Sequence, residues 1–213
     1  MVKNDRWLTN EAQAVDGALS RVNRAEEAHS REFRGEIAAL RPLAGKMPDR
    51  NIRATTTAVR ILVKNGLTPK ETYSSDSLTN GERAAVIALS LAAGGPRASH
   101  SPNGESFGYA FGQAAHIEKM RSKNDNLSDL MRKITYDDDF SLLVYDLYRA
   151  IRRLGDVKID YAVLARDLTQ IQSPERKSKV ITRWVKDFYR ANGYGKSSES
   201  KTEDDADAVS DEA

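Results

Sequence analysis

The chain has 213 residues, with 33 Lys and Arg against 31 Asp and Glu, three His and no Cys. Without cysteine there are no disulfide scaffolds, thiol nucleophiles, zinc–thiolate centres or cysteine-ligated iron–sulfur clusters. The formal charge of +2 averages unlike parts: residues 195–213 hold two Lys and seven acids, −5, which leaves +7 on residues 1–194.

The charge of that body is itself uneven. Residues 1–75 hold 13 bases and 9 acids, residues 76–115 hold 2 and 3, and residues 116–194 hold 16 and 12. Two basic regions thus flank a near-neutral middle. No apolar run approaches the roughly 18 residues of a membrane span, and the opening MVKNDRWLTNEAQ lacks an apolar signal segment. The expectation is a soluble, cytoplasmic protein with no membrane partner.

In chain order, helices fit about 10–28 and 30–41, the second closed by Pro42. Asp49 is expected to cap a helix through Lys64 that carries Ile52, Val59, Ile61 and Leu62 and stops at Gly66. Thr79-Asn80-Gly81-Glu82 reads as a capping box before the apolar run Ala84–Ala93, which Gly94-Gly95-Pro96 ends. Loops are expected at 42–48, 66–78 and 94–105, with SHSPNGESFG the most loop-like. The next clear stripe is Phe140, Leu143, Val144, Leu147, Ile151 and Leu154. Asp137, Asp138 and Asp139 lie at its start, arginines near its end and Gly155 beyond, the order that the helix dipole favours. Leu164, Leu168 and Ile171 mark a helix opening at Asp160. The last helix has Ser173 as N-cap, Pro174 in its first turn, Ile181, Trp184, Val185 and Phe188 as its apolar face, and Gly193 past its end. No alternating strand pattern occurs. The fold class is all-α: a two-lobed helical bundle of about eight or nine helices. Its parts are an N-terminal arm (1–8), an N-terminal helical lobe (9–115), a C-terminal bundle (116–194) and a disordered acidic tail (195–213).

Nothing in this pattern supports catalysis. His29, His100 and His116 are scattered, without HExxH or HxH spacing, and no GxSxG elbow occurs. Gly108 and Gly112 lack the Lys-Ser/Thr of a phosphate loop and fit a close approach of helices or of a partner's backbone instead. The Asp137–Asp139 triplet is explained by a helix N-terminus. No cofactor and no metal are expected.

Clustered positive charge is what remains. Arg34 and Arg41 are seven apart and share a helix face. Arg149, Arg152 and Arg153 lie off the apolar line of their helix. In the last helix Arg176, Lys179, Arg183, Lys186 and Arg190 step by three or four into one ridge, with Lys177 beside it. Such a ridge, opposite a largely apolar face, suits a nucleic-acid backbone, where charge neutralisation supplies affinity without sequence preference.

Five segments in order carry a resemblance. RGEIAALR (34–41) resembles the "RG-x-x-A-x-LR" signature of the CasB family, the small subunit of the type I-E CRISPR surveillance complex, Cascade. SFGYAF (106–111) is similar to that family's Ser-Leu-Gly-x-Ala-Leu helix start, with Phe107 and Phe111 in place of the leucines. LYRAIRRL (147–154), IDYAVLARDL (159–168) and WVKDFY (184–189) resemble its later motifs. The match covers about 30–190. Where the family often has a second Arg, Pro42 follows Arg41, which thins the basic patch there; 116–139 lies outside the matching motifs.

The resemblance implies a non-enzymatic, all-helical subunit present as a pair, lying against the CRISPR RNA–target DNA hybrid and the displaced DNA strand, beside the large and backbone subunits. Arg34, Arg41, Arg149, Arg152, Arg176, Lys177, Lys179 and Arg183 are the expected nucleic-acid contacts. Two alternatives stand beside this reading. One is a free-standing helix-turn-helix-like DNA-binding regulator, with Pro174–Arg190 as recognition helix. The other is a structural interaction protein whose charges only solvate it.

Overall fold

The computed structural model describes residues 8–27, 31–69, 77–95, 100–122 and 126–193. Among them run α1 (Asn10–Glu27), α2 (Arg31–Ala38), α3 (Ile52–Lys64), α4 (Asn80–Gly94), strand β1 (His100–Glu105), α5 (Phe107–Ser122), α6 (Asn126–Tyr136), α7 (Phe140–Ile151), α8 (Tyr161–Ile171) and α9 (Pro174–Ala191). The fold is all-α, as the periodicity indicates. Residues 194–213, with the expected acidic tail, and residues 1–7 of the expected arm lie outside the described residues.

The near-neutral middle of the sequence contains the centre of the molecule. Every residue from Ala84 to Leu91 in α4 is buried, so this helix is apolar all round. Its start is fixed by the capping box: the Thr79 hydroxyl accepts from the Glu82 N–H, and the Glu82 carboxylate accepts from the Thr79 N–H at 2.8 Å. α8 packs on α4 and α1, α3 covers α4 from another side, and α5 pairs with α9. The apolar side chains buried between these helices form one continuous cluster, from Ala12 in α1 to Phe188 in α9. The 115/116 border drawn from composition falls inside α5.

Four local expectations change. The second helix stops at Ala38, and Arg41–Leu43 forms a separate 3₁₀ turn with Pro42 at its start. Pro42 has no N–H to donate to the Ala38 carbonyl, so the α-helical ladder cannot continue through it. The cap of α3 is Asn51, whose side chain accepts from the Ala54 N–H at 3.1 Å, while Asp49 sits in a preceding 3₁₀ turn. Ser173 occupies the N-cap position of α9 without a side-chain hydrogen bond; its carbonyl accepts from Arg176 and Lys177 instead.

The fourth change is β1, in the segment expected to be most loop-like. It pairs in parallel with Ile159 through His100 and Glu105. A buried histidine explains the order there. His100 Nδ1 accepts from the Tyr161 N–H at 3.4 Å, and Nε2 lies 3.2 Å from Asp16 Oδ1. With Nδ1 as acceptor, Nε2 carries the proton and donates to Asp16. One imidazole therefore joins α1, β1 and the start of α8. Asp160 N-caps α8 as expected, accepting from Ala162 and Val163.

Candidate nucleic-acid interface

The outward face of α9 is set by how firmly its inner face is held. Val180, Ile181, Trp184 and Phe188 are buried, and the two glycines of α5 bring the helix backbones into contact. A Cβ on Gly108 would stand 2.6 Å from the Trp184 Cα, and one on Gly112 would stand 2.9 Å from the Phe188 Cα. Gly193 faces His116 further along, so the two helices run parallel. Phe107 meets Trp184 edge-on at 4.9 Å, and Phe111 tilts against Phe188 at 5.6 Å. Two hydrogen bonds fix the rotation of α9: Ser106 Oγ donates to Asp187 Oδ2 at 2.7 Å, and the Trp184 indole donates to Asp167 Oδ2 at 2.8 Å.

With that face committed, Arg176, Lys179 and Lys186 are exposed and make no ion pair among the described residues. Arg183 lies between them with Nη2 at 2.7 Å from Asp167 Oδ1, and Arg166 of α8 reaches the same oxygen at 3.3 Å. Asp167 is fully buried, so one carboxylate holds an indole and two guanidiniums, of which Arg183 keeps 42% of its side chain exposed. Arg190 ends the ridge, paired with Asp187 at 3.1 Å and lying 5.2 Å over the Tyr109 ring. Lys177 turns elsewhere: its ammonium donates to the Asp137 carbonyl at 2.8 Å and to Asp138 at 3.0 Å, tying α9 to the α6–α7 junction.

The other expected contacts form a second group. Buried Asp146 takes Lys133 at 2.8 Å and Arg149 at 3.1 Å. Asp137 joins them: burial, then its hydrogen bond to Asp146, raises its pKa. Burial works against charge on Asp146, but hydrogen bonds from Lys133, Arg149 and Asp137 together hold it below the usual carboxylate range. The same bond raises the Lys133 pKa. Asp139 is the N-cap of α7, where the Ser141 hydroxyl and N–H, each at 2.7 Å, lower its pKa. No group of three or more potential metal ligands occurs among the described residues.

Arg41 and Arg152 converge on one junction of this second group. Tyr148 packs against Gly45 and Gly94, where added Cβ atoms would approach its ring to 2.8 and 3.0 Å. Arg152 lies 5.8 Å over the Tyr148 ring, and Arg41 Nε donates to the Ala93 carbonyl at 3.3 Å. Arg34 belongs to α2, but its side chain lies outside the described residues. The expected contacts thus divide into Arg176, Lys179 and Arg183 on α9, Arg41, Arg149 and Arg152 around α7, and Lys177 between the two helices.

Sequence reasoning missed the buried carboxylates Asp146 and Asp167 that orient these cations, and Arg166 beside the second. A signal for both existed: each acid interrupts the buried side of an otherwise apolar helical stripe, a position that a charge occupies only when paired.

Residues 36–189 match the family model of the CRISPR-associated protein Cse2. The chain belongs to the Cse2 family. The family expected from the ordered motifs is therefore the one found, and all the cations named above except Arg34 and Arg190 lie within the matched residues of this Cse2-family chain. Solved structures resemble its fold. A crystal structure of CasB from Thermobifida fusca has a TM-score of 0.62 at 21% identity, covering 85% of this chain and 99% of that one. A chain of a CRISPR RNA-guided surveillance complex has a TM-score of 0.61 at 20% identity, covering 86% and 96%. CasB from Thermus thermophilus has a TM-score of 0.59 at 19% identity, covering 86% and 100%. No match is found among curated proteins. No helix among the described residues is long and apolar enough to cross a membrane.

Proposed function

We propose that this Cse2-family chain is the non-catalytic small subunit of a type I-E CRISPR RNA-guided surveillance complex, Cascade. In that role it contacts the backbones of the CRISPR RNA–target DNA hybrid and the displaced DNA strand, beside the large and backbone subunits and a second copy of itself. The observation that carries the reading is the face of α9. Arg176, Lys179 and Lys186 stand exposed without an ionic partner among the described residues, and Arg183 is held beside them by buried Asp167.

Strand exchange in such a complex is nearly balanced in free energy, because the hybrid formed is about as stable as the duplex it replaces. A few backbone contacts therefore suffice to bias it toward the open R-loop. Cations on a rigid helix supply them without reading bases, which a complex that accepts any guide requires. Arg183, pre-aimed by Asp167, and the exposed Lys179 and Lys186 offer forked and point-charge contacts to phosphate respectively. The second group of cations extends the basic surface to α7.

The test is charge reversal on the outward face alone. The triple variant Arg176→Glu, Lys179→Glu, Lys186→Glu leaves the Asp167 ion pairs intact. If the ridge engages about 4–6 phosphates of a single strand, log affinity falls with log salt at a slope of roughly −3 to −4. Reversal is expected to make that slope shallower by about two and to weaken binding at least tenfold near 0.1 M salt. An unchanged slope would remove α9 from the interface.

A further inference from the structure

The ridge of α9 ends where the described chain ends, and the residues beyond it in sequence are its electrostatic opposite. Gly193 takes φ +82 beside His116 just past the helix. Residues 195–213 then hold seven acids and two lysines: Glu199, Glu203, Asp204, Asp205, Asp207, Asp211 and Glu212 against Lys196 and Lys201. We propose that this acidic segment docks on the basic face of its own α9 and competes there with nucleic-acid phosphate. The idea rests on the reading of α9 as a phosphate-binding face.

Three observations carry it. The first is charge: Arg176, Lys179 and Lys186 are exposed cations without an ionic partner among the described residues, and the segment nearest in sequence is the most acidic in the chain. The second is reach. α9 has 18 residues, about 27 Å at 1.5 Å per residue. The stretch from 194 to Glu199 spans at most about 20 Å, and to Glu212 about 60 Å, at roughly 3.3 Å per residue. Acids spaced along the segment therefore reach Lys186 first and Arg176 beyond it. The third is tethering, which gives a partner on so short a connection an effective concentration in the millimolar range. Even weak ion pairs of the exposed kind then suffice to populate the docked state.

The proposed device discriminates by strength. A nucleic acid meeting only the α9 ridge must displace the segment. One held by many other contacts in a complex does so at little relative cost. Random strands are therefore disfavoured more than the assembled target. Salt screens the internal contact as it screens the external one, so the competition is strongest at low ionic strength.

Two measurements test the proposal separately from the function on which it rests. The chain has no Cys, so Ser200→Cys gives a single nitroxide site. In the full-length protein without nucleic acid, the label is expected to broaden amide signals in the far part of α9, between 176 and 180, at about 50 mM salt, where the Debye length is roughly 14 Å. The broadening should vanish when the seven acids are changed to Asn or Gln. No broadening between 176 and 180 would overturn the docking, whatever the nucleic-acid result. The second measurement is affinity for a fluorescent thymidine 20-mer. The tail-neutral full-length variant is expected to bind about tenfold tighter than the parent at low salt, with the two converging as salt rises. Placed on the Arg176→Glu, Lys179→Glu, Lys186→Glu background, the same neutralisation should change affinity less than about twofold, as expected for partners in one double-mutant cycle. An undiminished effect on that background would show that the tail acts through overall charge and would overturn the proposed contact.

Discussion

Gly108→Ala and Gly112→Ala should destabilise the chain although alanine is the better helix former. The added Cβ at 108 would stand 2.6 Å from the Trp184 Cα and 2.8 Å from its carbonyl carbon. That is about 1 Å inside the ~3.5–4.0 Å carbon–carbon optimum. The obstacle is backbone, which cannot swing away as a side-chain end would, so α9 must retreat. Retreat opens the Phe107–Trp184 and Phe111–Phe188 contacts. Overpacking of this kind costs about 1–3 kcal/mol, and removing a helical glycine returns up to ~1 kcal/mol. The net loss is about 1–2 kcal/mol for each single variant, or ~2–8 °C in Tm at roughly 2–4 °C per kcal/mol for a chain of this size. Urea unfolding followed by far-UV circular dichroism measures the loss. Gly35→Ala is the internal control. That glycine is exposed in α2 with no described atom within 4 Å of an added Cβ, so its substitution should be neutral or stabilising by up to ~1 kcal/mol. If Gly108→Ala were as stable as the parent, the close parallel packing of α5 and α9 would be refuted.

Three further outcomes concern the buried polar groups and the central cap. Asp167→Asn removes the charge shared by Arg166, Arg183 and the Trp184 indole; it should cost about 2–4 kcal/mol in urea unfolding, near the cost of breaking a buried pair. Asp137→Asn should raise Tm at pH 7, because burial and Asp146 disfavour its ionised form. Its folded pKa is raised, so the penalty exists above that pKa; the gain should shrink as pH falls into the carboxylate range and the wild-type Asp137 protonates. Thr79→Ala removes the capping box of the central helix α4 and should cost about 1 kcal/mol, read by the same denaturant titration.

Most helices were legible from an apolar stripe of period 3.6 or a recognisable start or stop. Helix α4, apolar all round, was read from its capping box, and α5 and α6 were not placed by periodicity. The capping box at Thr79, Asp160 before α8 and Gly193 after α9 are local signals, and the structure keeps them. What sequence missed depends on partners remote in the chain. β1 exists because His100 is gripped by Asp16, 84 residues away, and by Tyr161, 61 away. No local pattern encodes that grip. The basic ridge followed from spacing alone, because outward positions on one helix are fixed by its inward ones. The departure of Lys177 from it did not, since Asp137 and Asp138 lie 40 and 39 residues away. The glycines of α5 fall between these cases. Their spacing pointed to a close approach, and only the fold shows that the approaching backbone is α9.

The central claim is that the outward cations of α9 help hold an R-loop open. Its most direct test is a reconstituted surveillance complex carrying Arg176→Glu, Lys179→Glu and Lys186→Glu, with R-loop formation on a matched target followed by permanganate footprinting of the displaced strand. The expected result is a complex that retains this subunit and its RNA but opens the target at least tenfold less efficiently near 0.1 M salt, with the deficit shrinking at higher salt. Undiminished opening, with the variant subunit present in the complex, would contradict the claim.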